Sequence, residues 1–96
     1  MSRDLARFLK VLGDSNRLGI VLTLGAGTRS VSEIIECTHL PQTLVSFHLK
    51  VLRSAGIVKP VRQGPFIFYS LAEPALLGLL ADFSRRLGAG VQAAGV

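Results

Sequence analysis

The stretch "PQTLVSFHLKVLRSAG", residues 41–56, restricts the fold of this chain more than any other. Proline pre-sets φ for a first helical turn and glycine stops a helix, so Pro41 and Gly56 bracket a helix that runs to about Ser54. Val45, Leu49 and Leu52 recur at i, i+4, i+7 and define a side that must be buried. The preceding "THLP" breaks a shorter helix, which Ser30 or Ser32 caps and which ends near Cys37. Glu33 sits in the first turn of that helix, where the helix dipole favours an anion. Two helices joined by so short a turn have the outline of a helix-turn-helix.

Flanking segments complete the plan. Leu5, Phe8, Leu9 and Leu12 lie at helical spacing over residues 4–12, and Gly13 ends that helix. Asp14 or Ser15 caps a second helix in "DSNRLGIVLTL", whose Leu18, Val21, Leu22 and Leu24 read as core, and "GAGT" is a turn. "IVKPVRQGPFIFYSL" predicts a β-hairpin with Gly64 and Pro65 near its tip, and Pro60 confines the first strand to an edge. Pro74 opens a final leucine-rich helix. The architecture expected is mainly α with a small hairpin, in the order four helices, two strands, one helix. A single domain covers residues 1–88, and the small residues of 89–96 form a frayed tail.

Ninety-six residues bury only about 60–65% of their unfolded surface, which leaves a thin core. The chain is nonetheless 49% hydrophobic, and the surplus lies in its first and last helices. Leu5, Phe8, Leu9, Leu76, Leu80, Phe83 and Leu87 are therefore expected to join two copies of the chain. No apolar run reaches the roughly 18–20 residues of a membrane span, and the charges in "MSRDLARFLKVL" argue against a signal peptide or an anchor. The single cysteine, Cys37, cannot form an intrachain disulfide, so a cytoplasmic location is expected. Eleven Lys and Arg against six Asp and Glu give a net charge of +5, which suits a polyanionic partner.

Opposite the buried stripe of residues 41–54 lie Gln42, Thr43, Ser46, Lys50 and Arg53. A helix that enters the major groove of double-stranded DNA presents its first turns to base edges. Gln pairs with adenine, Ser and Thr hydroxyls contact bases or phosphates, and Lys50 and Arg53 would reach the phosphate backbone. Arg62 and Gln63, with Lys59, give the hairpin a basic edge suited to an adjacent phosphate or the minor groove. Polar faces also simply meet water; it is the order of helix, turn, polar-started helix and basic hairpin that favours DNA.

Taken together, "LKVLGDSNRLGIVLTL", "VSEII", "VSFHLKVLRSAGIV" and "RQGPFIFYSL" resemble the ArsR/SmtB family of winged-helix repressors over roughly residues 5–87. The resemblance rests on Asp14, Arg17 and Leu18, on Ser46, His48, Leu49, Leu52 and Gly56, and on Arg62, Gly64, Tyr69 and Leu71. It implies a winged helix-turn-helix homodimer joined through its first and last helices, which leaves its operator when an effector binds. It also implies DNA contacts from Gln42, Thr43, Ser46 and His48. Two positions depart from the pattern: Pro41 replaces a frequent capping Ser, and Phe47 replaces a polar or basic side chain. Phe47 either touches a thymine methyl or packs at the domain edge, and His48 either meets DNA or is half-buried.

Metalloid-sensing members carry a Cys-x-Cys pair where this chain has Ser30 and Ser32, and hydroxyls do not replace thiolates for soft ions. The last helix has Glu73 and Asp82 but no histidine, so a zinc or nickel site there is incomplete. Cys37, read as a small core residue, and His39, read as part of the turn, are the remaining weak metal candidates. No metal and no cofactor is expected; a small organic effector fits the missing ligands better. The expectation is thus a DNA-binding repressor, with two alternatives: a metal- or redox-responsive repressor using Cys37, and a protein-interaction module that does not bind DNA. An enzyme is not expected, since the chain has no phosphate loop, no useful carboxylate pair and no complete nucleophile arrangement.

Overall fold

The computed structural model describes residues 2–95, with side chains as far as Gly88. Its elements are α1 (Ser2–Leu12), α2 (Ser15–Leu24), β1 (Arg29–Ser30), α3 (Val31–Thr38), α4 (Gln42–Ser54), β2 (Val58–Gln63), β3 (Phe66–Leu71) and α5 (Ala75–Gly95). The four helices, the hairpin and the last helix follow the expected order. One element was not foreseen: β1 pairs antiparallel with β3, Arg29 opposite Tyr69 and Ser30 opposite Phe68, so the sheet has three strands in the order β1-β3-β2. The tail expected to fray from residue 89 instead continues α5 in its backbone to Gly95; Val96 lies outside the described residues.

Local chemistry sets the helix starts. Asp14 caps α2 by accepting from the Arg17 amide at 3.0 Å. Ser30 caps α3 reciprocally: its Oγ accepts from the Glu33 amide at 3.1 Å, and Glu33 Oε1 accepts from the Ser30 amide at 2.9 Å. These amides hold both carboxyls below the ordinary carboxylate range: for Asp14 mainly the Arg17 amide, for Glu33 mainly the Ser30 amide. Glu73 Oε1 accepts from the Ala75 amide at the start of α5. The hairpin turns at Gly64, whose φ of 61° is a left-handed geometry that glycine adopts without strain.

One core joins α2, α3, α4 and the base of the hairpin. Ile20, Val21, Ile34, Val45 and Leu52 are fully enclosed, with Leu49, Ile57, Val58 and Leu71 around them. Each such side chain contributes roughly 1.5–3 kcal/mol on burial. Pro60 lies on β2, an edge strand, where its missing N–H breaks no interior ladder.

The apolar surplus is divided. Leu5 and Leu9 on α1, and Leu79, Phe83 and Leu87 on α5, are exposed in the single chain, as a subunit-contact role requires. Phe8 and Leu80 are half-buried against the core. Leu76 is a correction: the first turn of α5 drives it into the core at 9% exposure, so it stabilises the protomer and offers little to a second copy. Leu22 moves the other way, since the face of α2 that turns toward α5 leaves it 55% exposed rather than in the core. Leu18, Leu22, Leu77, Leu80, Phe83 and Leu87 line an open apolar groove of about 780 Å³ between α2 and α5. No helix among the described residues is long and apolar enough to cross a membrane.

Candidate nucleic-acid interface

Helix α4 begins differently from α3. Pro41, expected in the first turn, is the residue before it, with φ −61° and ψ 151°, and no side chain caps the helix. The Pro41 carbonyl accepts from the amides of both Leu44 and Val45 at 3.0 Å. The amides of Gln42 and Thr43 precede the first intrahelical bonds and so point outward from a positive helix end.

Val45, His48, Leu49 and Leu52 bury one side of α4. Gln42, Thr43, Ser46, Phe47, Lys50 and Arg53 are all exposed. At about 100° per residue, Thr43, Phe47 and Lys50 run down the middle of the outward face, with Ser46 beside them and Gln42 and Arg53 on the flank. Six of the seven side chains singled out on this helix therefore share one solvent-facing surface that combines amide, hydroxyl, aromatic and cationic groups.

The seventh, His48, does not. It is 5% exposed, which removes it from any surface that DNA could reach. The reason is spacing: His48 lies three residues after Val45 and four before Leu52, on the apolar stripe. Arg17 Nη1 lies 3.4 Å from His48 Nδ1, and Arg17 Nε donates to the Val11 carbonyl at 2.7 Å. A guanidinium only donates, so a hydrogen bond here uses Nδ1 as its acceptor. Nε2 has no hydrogen-bond partner among the described residues and faces Asp14 Oδ2 at 4.0 Å. His48 thus anchors α4 to the start of α2 and, through Arg17, to the end of α1. Spacing alone did not reveal Arg17 and Asp14 as its partners, because they come together across three helices.

On the wing, Arg62 and Gln63 are exposed near the tip, opposite Ile67 and Phe66, and exposed Lys59 lies opposite Ser70. Phe66 is 64% exposed beside the turn. The hairpin therefore presents a basic and aromatic edge to solvent.

The remaining candidates stay apart from this surface. Cys37 is exposed on α3, not in the core, because only Ile34 of that helix is fully buried. His39 ends α3 in a left-handed conformation, φ 60°, and its amide donates to the Ile35 carbonyl at 2.7 Å. Asp82 pairs with Arg85 at 3.1 Å and Arg86 at 3.2 Å on the surface of α5. Among the described residues, no three His, Cys, Asp or Glu side chains gather so as to hold a metal ion. Ser30, at the position of a thiolate in metalloid-sensing members, serves as the cap of α3.

Residues 14–59 match the family described as bacterial regulatory protein, arsR family. The homodimeric winged helix-turn-helix DNA-binding domain of Mb0332 from Mycobacterium bovis, described as a possible ArsR-family transcriptional regulator, has a TM-score of 0.77 and 30% identity to this chain. The overlap covers 91% of this chain and 82% of that one. This chain belongs to the arsR family. Within the family, the HTH-type transcriptional repressor SmtB of Mycobacterium tuberculosis is 40% identical over 74 residues, 77% of this chain and 55% of the relative. The chain spans about half the length of that relative. The crystal structure of Rv0081 from M. tuberculosis is also similar, with a TM-score of 0.79 and 36% identity over 92% of this chain and 88% of that one. The family match runs from the Asp14 cap through α4 to Lys59, the segment that carries the exposed stripe and the His48 anchor.

Proposed function

We propose that this arsR-family chain is a DNA-binding transcriptional regulator of the cytoplasm that acts as a homodimeric repressor on a palindromic operator. The observation that carries the reading is the exposed stripe of α4: Gln42, Thr43, Ser46, Lys50 and Arg53 face outward, while Val45, Leu49 and Leu52 fix the opposite side in the core. Two copies joined through α1 and α5 would set two such helices about one duplex turn, roughly 34–36 Å, apart. The exposed leucines of α1 and α5 support that mode of assembly, and the homodimeric state of the M. bovis relative supports a dimer. Lys50, Arg53 and Arg62 would hold phosphates and Gln42 would read a base. The chain carries no catalytic role in this reading, and its effector is a small organic molecule rather than a metal at a thiolate site.

The exposure of Cys37 favours a second reading of the effector, in which a thiol-directed compound or oxidant releases the DNA. Cys37→Ser separates the two: loss of release would replace the small-molecule reading with this one.

The test of the main reading is selection of binding sites from random duplex DNA, followed by titration at several salt concentrations. A selected palindrome is expected, with log affinity falling linearly in log salt at a slope of about −0.9 per phosphate neutralised. Binding that is unselective, or indifferent to salt, would remove the regulator reading.

A further inference from the structure

Phe47 is the one large apolar side chain on the outward face of α4, and it is 55% exposed. It lies in line with Thr43 and Lys50, where the other exposed side chains of the helix are polar or basic. Packing at the domain edge does not account for it, since more than half of its surface remains in water. The ring is not loose, however. Its centroid lies 5.3 Å from that of His48, with the rings inclined at 64°, an edge-to-face contact. His48 is itself held by Arg17 and lies beside Asp14. A buried, anchored imidazole therefore backs an exposed phenyl and limits the orientations it must give up on binding.

We propose that Phe47 is a specificity-determining residue that recognises the C5-methyl group of a thymine in the major groove. This rests on the reading of α4 as a DNA-recognition helix. The physical reason is selective chemistry: the base edges of the major groove are hydrogen-bond donors and acceptors, apart from the thymine methyl, which is the one apolar group there. A phenyl ring can satisfy none of the polar edges. Placed over cytosine or a purine edge, it would strip water from polar atoms without replacing the hydrogen bond. Placed against a thymine methyl, it buries apolar surface on both sides. Each half of a palindromic operator would then require T·A at one fixed base pair, next to the pair read by Gln42 or Ser46.

The experiment uses the full chain and the duplex it selects from random DNA. Each thymine is replaced singly by uracil, which removes the methyl and leaves every hydrogen-bonding atom in place. For the unaltered chain, uracil at one thymine per half-site is expected to weaken binding about fourfold, the effect of burying one methyl-sized group. Phe47→Ala should bind the thymine and uracil duplexes equally, and Phe47→Leu, which keeps an apolar tip, should retain part of the preference. Both variants should melt with the unaltered chain, because the ring is exposed. A uracil series that is flat for the unaltered chain, or a uracil penalty that persists in Phe47→Ala, would overturn the assignment while leaving DNA binding intact. Failure to select any duplex would instead bring down the regulator reading, and this assignment with it.

Discussion

The first turns of α3 and α4 are close in sequence and opposite in design. At the start of α3, Ser30 and Glu33 exchange hydrogen bonds at 3.1 and 2.9 Å, and the helix end is sealed by its own side chains. At the start of α4, Pro41 supplies only a carbonyl, and no side chain closes the end. A side-chain cap is worth typically about 1 kcal/mol, so a helix start that lacks one gives up stability. The difference teaches where the scaffold stops and the proposed binding surface begins. At α4 the matching positions are a proline without an N–H and the Leu44 amide, already held by the Pro41 carbonyl, so the outward amides of Gln42 and Thr43 are left with no capping side chain beside them.

The contrast can be broken in several ways, from the largest effect to the smallest. Leu52→Ala attacks the buried side that fixes the orientation of α4. Thermal or denaturant unfolding should lose about 2–5 kcal/mol, and a loss below about 1 kcal/mol would mean that the stripe is not held as described. Gln42→Ala tests the open end: discrimination at one base position should relax by about 1–3 kcal/mol, while stability stays within about 0.5 kcal/mol. Ser30→Ala tests the sealed end with the reverse pattern, a stability loss of about 1 kcal/mol and an unchanged base preference. If Ser30→Ala altered the preference, or Gln42→Ala destabilised the fold, the division between the two helix starts would fail.

Acid gives the mildest probe. Glu33 and Asp14 bind protons less readily folded than unfolded, so protonation favours the unfolded chain. Their stabilising contribution is complete above the unfolded carboxyl value and drains away as pH falls through it toward the lower folded value. Glu33→Gln keeps an oxygen for the Ser30 amide and removes that titration. Its unfolding free energy should therefore depend less steeply on pH in the acid range than that of the unaltered chain. An unchanged slope would show that the capping box adds nothing to acid sensitivity.

Most of this molecule could be read from local pattern, because most of its elements are announced locally. Proline and glycine punctuation bounded α4, Val45, Leu49 and Leu52 at i, i+4, i+7 gave its inner side, and the five polar residues opposite followed as the complement, whereas Phe47 stayed divided between the surface and the domain edge until its exposure was seen. What escaped the sequence depends on contacts between distant segments. β1 is two residues long and has no periodicity; it exists only because β3 arrives beside it. His48 was divided between surface and interior until Arg17 and Asp14 were found around its ring. Leu76 and Leu22 exchanged expected places because a leucine on a helix states that some apolar partner exists, not which one. Cys37 was assigned to the interior from its residue type, whereas the short α3 encloses only Ile34.

The arrangement of α2 carries a consequence of its own. Arg17 contacts the imidazole behind the exposed stripe of α4, and Leu18, its immediate neighbour in the chain, lines the leucine furrow against α5. Both belong to one rigid rod of 10 residues. Anything that filled the furrow and tilted α2 would carry Arg17 along, and with it one contact on His48.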